Sequence, residues 1–351
     1  MQALFDARRV DEIECIVSVL LAIGIAHLLH APNASWAAFA AYMVMRGHVA
    51  DSLLRAVLRI AGTIIGAGLG LLLVSYVEHS PLLSALALGI IGAGALYGAV
   101  ARRYTYAWLF LGLTFAMVLL DKLEVPGDAL SAFVANRILE TLAGSVACVS
   151  VSALSTFTLR RYFPAKRMTL SQGQWDLHAM RHALQCGLTL MLLPFIGTHW
   201  KLPDLTQSAV TIMAVMLIPL GHIQSGGFVP ISRRLFLRAI GCLSGAAFAA
   251  IFLLLADGRT AIALIGLAIG VGIGRHIEND KHSITYMGVQ FTLAVLVVLA
   301  PDSYLDANAK PGLERLLGIL LGMALLEPML LAWHLVSRWA VRIKNPPPSM
   351  S

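Results

Sequence analysis

Charge is what this sequence has least of. Of its 351 residues only 13% are Asp, Glu, Lys or Arg, while 58% are hydrophobic. A soluble globular domain carries about a quarter charged residues, so the solvent for most of this chain is lipid. A mean hydropathy of +0.78 agrees. No arginine or lysine tract is interleaved with aromatics on a polar surface, so nucleic acid is not an expected partner. Cysteine is scarce and scattered: Cys15, Cys148, Cys186 and Cys242 each sit in an apolar run, forming neither a CxxC knuckle nor a disulfide framework. HExxH, a Ser-His-Asp candidate set and paired catalytic carboxylates are missing, so no enzyme, metal or cofactor is expected. The glycines of Gly66-Ala67-Gly68-Leu69-Gly70 lack the preceding strand and following Lys-Ser/Thr of a phosphate loop.

What fills the chain instead is a series of apolar runs. A membrane-spanning helix needs about 20 mostly apolar residues. Candidate spans are 13–30, 34–46, 55–77, 81–100, 104–121 and 130–157, then 180–198, 207–221, 235–256, 260–274, 284–300 and 312–337. The second and eighth are short, which leaves room for tilt or partial re-entry. Asp11, Glu12 and Glu14 abut the first run and no small-residue cleavage site follows, so a retained first helix is expected rather than a signal peptide.

The basic residues orient these spans. One set of loops holds Arg8 and Arg9, Arg46 and Arg55, Arg102 and Arg103, and Arg160, Arg161, Lys166 and Arg167. In the second half it holds Arg233 and Arg234, Arg275 and Lys281, then Arg338, Arg342 and Lys344. The alternate loops are acidic or mixed, as in Glu78-His79 and Asp121 to Glu124. The positive-inside rule then predicts an all-α polytopic protein of about twelve spans with both ends cytoplasmic.

The halves also resemble each other. Arg55, Arg59, Gly62 and Gly66 recur as Arg234, Arg238, Gly241 and Gly245, and Arg137 and Gly144 recur as Arg315 and Gly322. Gly47-His48 has a counterpart in Gly221-His222. The expected organisation is a six-helix repeat over 1–158, a cytoplasmic linker over 159–179, a second six-helix repeat over 180–340 and a short tail over 341–351. Six spans per half insert the same way, making the repeats parallel. Glycines four residues apart, Gly62/Gly66/Gly70 and Gly266/Gly270/Gly274, predict close helix packing.

Ionisable groups within apolar runs are costly and mark functional candidates. Arg55, Arg59, Arg234 and Arg238 share matched helix faces, and under a pseudo-two-fold they would ring a cytoplasmic vestibule for an organic anion. Ordinary interfacial anchoring is the bland alternative. Arg137 and Arg315 lie on the outer side, where topology gives no reason for arginine. Glu140 is one turn from Arg137 on the same face, and Glu327 precedes Pro328 deep in the last span. These two carboxylates are the proton-coupling candidates, with structural ion pairing as the alternative. His48 and His222 are read as interfacial.

Taken together, the chain resembles the fusaric acid resistance protein-like family, which includes bacterial aromatic-acid exporters. The resemblance rests on Ser35-Trp36 through Tyr42, on Leu54-Arg55 through Gly70, and on the Arg137 to Gly144 helix. It extends to the plant aluminium-activated malate channels. It implies export of small organic anions across the bacterial inner membrane, with a periplasmic adaptor protein as partner. It carries Arg55, Arg59 and Arg137 over as the family's charged positions, with Arg234, Arg238 and Arg315 as their repeat partners. Larger members carry a substantial cytoplasmic domain, which a linker of about 20 residues does not supply. The expected function is proton-motive-force-driven export of aromatic carboxylates. A passive anion channel and a non-transporting scaffold are its rivals, and the oligomeric state is left open.

Overall fold

A computed structural model describes residues 6–124, 130–167, 173–200, 204–224, 228–280, 284–300 and 310–344, with side chains at 310–313 and 337–344 outside that description. Lys281, the side chains of Arg338, Arg342 and Lys344, and the tail beyond 344 therefore lie outside it. The described residues are predominantly helical, with no strand among them. The helices are α1 (Ala7–Leu28), α2 (Ala34–Val44), α3 (Val49–Val77), α4 (Pro81–Ala101), α5 (Thr105–Glu124), α6 (Leu130–Phe157) and α7 (Leu159–Tyr162). There follow α8 (Leu177–Leu190), α9 (Leu192–Trp200), α10 (Leu205–Met216), α11 (Leu220–Gln224), α12 (Phe228–Ala256), α13 (Thr260–Glu278), α14 (Thr285–Leu299) and α15 (Lys310–Lys344).

Local chemistry sets these boundaries. Asp6 caps α1 by accepting from Arg9 N at 2.9 Å, and Asp176 caps α8 by accepting from Ala179 N at 2.8 Å. Ser80-Pro81 opens α4 with a proline at the first helical position, where its missing N–H is not needed. Pro194 cannot donate back to Leu190, which breaks the apolar rod Leu177–Trp200 into α8 and α9.

Eight helical segments among the described residues are long and apolar enough to cross a membrane: α3, α4, α5, α6, the α8–α9 rod, α12, α13 and Glu314–Val336 of α15. The chain is thus a multi-pass helical membrane protein. Twelve spans were expected from hydropathy. The shortfall comes from α2, α10 and α14, of 11, 12 and 15 residues, and from α1, whose first turns carry Asp11, Glu12 and Glu14. At 1.5 Å per residue the three short helices fall short of a hydrocarbon core about 30 Å thick.

Packing is organised around two broad contacts, α3 on α5 and α12 on α14. α4 packs on α5 and α8, α13 on α14 and α1, α2 on α6, and α10 on α15 and α5. Glycine makes the two broad contacts possible. An added Cβ at Gly62 would lie 3.1 Å from Leu111 N, and one at Gly241 would lie 2.6 Å from Met287 O. Backbones come this close only where side chains are absent, the usual route to helix association in lipid.

Gly245 and Gly68 separate packing glycines from open ones. A Cβ at Gly245 would sit 2.9 Å from Ala294 Cβ, whereas nothing lies within 4 Å of one at Gly68. Gly245→Leu is expected to cost about 1–3 kcal/mol, the usual overpacking penalty, and Gly68→Leu to stay within about 0.5 kcal/mol. Thermal unfolding of the purified protein in detergent measures both.

Candidate functional site

Two helices stop inside the bundle, and the site is built at their ends. α2 ends at Val44 because Met45 turns extended, at ψ 127°, and the next residues are tied down by Ser52, whose Oγ accepts from Arg46 N at 2.9 Å and donates to Arg46 O at 3.0 Å. α10 ends at Met216, two residues before Ile218-Pro219. A helix C-terminus leaves carbonyls without intrahelical donors and carries partial negative charge. Cationic and imidazole groups meet that need. Arg46 Nη1 and Arg275 Nη2 donate to Met45 O at 2.6 and 3.2 Å. His182 Nε2 donates to Met216 O at 2.6 Å, and Arg234 Nη1 donates to Leu217 O.

Beside these ends lies a cavity of about 220 Å³, walled by α2, α5, α10, α12, α14 and α15. A single water needs about 10–15 Å³ on this measure, so there is room for a small organic molecule. Most of the wall is apolar or aromatic, including Trp36, Phe39, Phe110, Leu113, Val210 and Leu293. Four arginines reach it: Arg46, Arg234, Arg238 and Arg315. The single carboxylate among its lining residues is Glu278, which is already engaged by Arg275 Nη1 at 2.9 Å and by the Tyr42 hydroxyl at 2.7 Å.

Each arginine is held differently. Arg238 is 3% exposed; it donates through Nη1 to Gln290 Oε1 at 2.5 Å and through Nη2 to Thr211 Oγ1 at 3.0 Å. Arg234 stacks over the Tyr286 ring, 4.0 Å from its centroid. Arg315 donates to Ser35 Oγ at 3.4 Å near the start of α2, at the opposite end of the cavity from Arg46. Three buried polar atoms in this lining, Arg234 Nε, Arg238 Nε and the Tyr286 hydroxyl, have no hydrogen-bond partner among the described residues. Unspent donors in an otherwise apolar space suit a ligand carrying acceptors.

The other candidate residues fall elsewhere. Arg59, Arg137 and Glu140 line a separate pocket of about 20 Å³. Trp36, Phe110 and Leu113 belong to both linings and stand between the two spaces. Arg59 is 3% exposed and sits over the Phe110 ring at 4.0 Å, with its Nη1 3.4 Å from the Tyr106 hydroxyl. Arg137 pairs with Glu140 at 3.2 Å, the local ion pair expected from their spacing. Arg55 lies 5.1 Å from the Tyr106 ring centroid and lines neither space. The four repeat-matched arginines therefore do not form one ring: Arg234 and Arg238 share the cavity of about 220 Å³, and aromatic walls divide them from Arg59. Glu327 is half-buried, accepts from Ser232 Oγ at 2.9 Å, and lines neither space. His48 caps α3, its Nδ1 accepting from Ala50 N at 3.1 Å.

Sequence reasoning missed the ion cluster at the Arg46 end. Arg160 holds Glu14 through two bonds of 2.9 and 2.6 Å, and Arg275 holds Asp11 through two of 2.7 and 3.1 Å. Asn279 adds a third donor to Asp11 at 2.7 Å. Burial pushes the Asp11 carboxyl up, but the Arg275 guanidinium, the Asn279 amide and the Arg160 charge together hold the group below the ordinary aspartate value. The available signal was Asp11 and Glu14 one turn apart against an apolar run, a pattern that calls for cations from elsewhere in the chain. At the other end Asp204 caps α10 by accepting from Gln207 N at 3.1 Å, and burial pushes its carboxyl up.

Residues 21–151 match the model of the family described as fusaric acid resistance protein-like. No curated protein and no solved structure matches the chain.

Breaking a buried pair from one side strands the other charge. Glu14 is 2% exposed and Arg160 9%, so Glu14→Gln is expected to cost about 3–5 kcal/mol of stability. Thermal unfolding in detergent, compared with a matched surface substitution such as Arg161→Gln, reads the difference.

Proposed function

From the family match over residues 21–151, we propose that this protein exports small organic carboxylates, aromatic ones foremost, across the bacterial inner membrane under the proton-motive force. The observation that carries the reading is the composition of the large cavity. Its four arginines face one carboxylate that is already paired, and most of the remaining wall is aromatic or apolar. Guanidinium groups with free N–H donors bind carboxylates in a planar fork, and ring faces accept the substrate's apolar body. A substrate carboxylate would meet Arg46, Arg234 and Arg238, with its apolar body extending toward Arg315.

The proposed architecture is two parallel six-helix repeats, 1–158 and 180–340, joined by the 159–179 linker, with both ends and the Arg46 mouth on the cytoplasmic side. Several pairings support it. α3 on α5 is matched by α12 on α14, α4 on α8 by α13 on α1, and α5 on α10 by α14 on α2. Arg55 over Tyr106 is matched by Arg234 over Tyr286. The α2 and α10 ends fit a transporter in which interrupted helices meet near the substrate. A periplasmic adaptor protein would then dock at the Arg315 end.

Glu140 and Glu327 remain the proposed proton carriers. Neither lines the large cavity, and that observation favours a second reading, a passive anion channel resembling the malate channels. Benzoate counterflow in proteoliposomes tests the site: Arg238→Ala is expected to lower the rate at least ten-fold, and a wild-type rate would remove Arg238 from it. Imposing a pH gradient separates the two readings. A coupled exporter accelerates with the gradient and loses that response in Glu140→Gln or Glu327→Gln, whereas a channel follows the anion gradient alone.

A further inference from the structure

Glu278 is the one carboxylate among the residues lining an otherwise cationic cavity, and its two oxygens are used differently. Oε2 is held by Arg275 Nη1 at 2.9 Å and by the Tyr42 hydroxyl at 2.7 Å. Oε1 faces Arg46 Nη1 at 4.0 Å, close enough for charge attraction but beyond hydrogen-bonding distance. Arg46 itself lines the cavity and spends Nη1 on the Met45 carbonyl. Arg275 spends four of its five N–H donors on Asp11, Glu278 and Met45 O, so it has little capacity for a ligand. Arg46 has capacity to spare.

Resting on the anion-transport reading above, we infer that Glu278 is the cavity's resident counter-ion, a tethered carboxylate that balances Arg46 in the empty state and competes with the substrate's carboxylate for it. Arg46 is half-buried, with 21% of its side chain exposed, and a guanidinium largely withdrawn from water without an anion is costly. Glu278 removes that cost when no substrate is present, and it sets a threshold that a weak or neutral ligand does not overcome. The loose Arg46 contact lets a substrate carboxylate displace Glu278 from Arg46 while Arg275 and Tyr42 keep hold of its other oxygen. Glu278 is thus a specificity-determining residue that acts through Arg46 and does not itself bind the substrate.

The inference makes predictions of opposite sign for two neighbouring substitutions. Glu278→Gln removes the competing charge and keeps the shape, so the Kd for benzoate, measured by calorimetry on the intact protein in detergent, should fall at least three-fold. Benzamide, which carries no charge, should be unaffected. Tyr42→Phe frees Glu278 to lean toward Arg46, so benzoate Kd should rise at least three-fold. Glu278→Asp, which restores the charge, should return benzoate affinity toward wild type. Unchanged or weaker benzoate binding in folded Glu278→Gln overturns the inference. If that variant does not fold, an unchanged or lower Kd in Tyr42→Phe overturns it instead. Wild-type protein that binds no benzoate, with Arg238→Ala indistinguishable from it, brings down the anion-transport reading itself. Wild-type binding that Arg238→Ala weakens, with Glu278→Gln silent, removes only the role given to Glu278.

Discussion

Two helices ending within the bundle impose the constraint on which the rest of the site depends. The last carbonyls of α2 and α10 must be given donors where lipid and packed side chains exclude water, because an unsatisfied carbonyl there costs several kcal/mol. The chain supplies arginine and histidine at those points: Arg46 and Arg275 at Met45 O, His182 at Met216 O, Arg234 at Leu217 O. The helix ends in turn make those cations tolerable, since each C-terminus carries partial negative charge. Positive charge is thereby brought into an apolar interior without an equal number of carboxylates. Two of the four arginines that line the cavity, Arg46 and Arg234, are placed there by this backbone accounting.

The proposed repeats then differ in what surrounds the deeper arginine, and that difference decides which side holds the cavity. Arg59 is covered by ring faces, Phe110 at 4.0 Å and Phe39 at 5.7 Å, with the Tyr106 hydroxyl at 3.4 Å. Arg238 meets Gln290 and Thr211 instead. Aromatic rings both balance a guanidinium and fill space, so the Arg59 side closes down to a small pocket. The shorter amide and hydroxyl bind two N–H groups, leave Arg238 Nε unspent, and leave volume beside it.

Much of the fold was legible because lipid enforces simple rules. Apolar runs located the long helices, although α3 and α12 begin well before the expected starts at 55 and 235, and glycines at four-residue spacing marked α3 and α13 as close-packing helices, on α5 and α14. Arg137 and Glu140 announced their own pairing, being one turn apart on one helix. What the sequence did not reveal depends on contacts between distant segments. Arg275 and Arg160 were read as loop charges that set topology, whereas they are buried partners of Asp11 and Glu14, more than 140 residues away in sequence. The positive-inside rule places a basic residue on a side of the membrane but says nothing about whether it points to headgroups or into the protein. The single vestibule of four arginines failed for a related reason. Repeat symmetry relates Arg59 to Arg238, but it carries no information about Trp36 and Phe110 standing between them.

The ion cluster joining α1, α2, α7 and α13 sharpens what the cavity is able to do. Surface ion pairs contribute little, and a buried pair does not in general outperform apolar packing, so stability alone gives weak reason to retain two bidentate pairs here. Their geometry gives a better one. Arg275 grips Asp11 of α1 with one edge of its guanidinium and Glu278, at the cavity wall, with another nitrogen. A change in the charge seen by Glu278 therefore acts on the same guanidinium that ties α1 to α13. Apolar packing between those helices would hold them as firmly but would not respond to an anion. An ionic clasp responds, because its strength depends on the net charge around it. The cavity wall and the contact between α1 and α13 thus share one guanidinium.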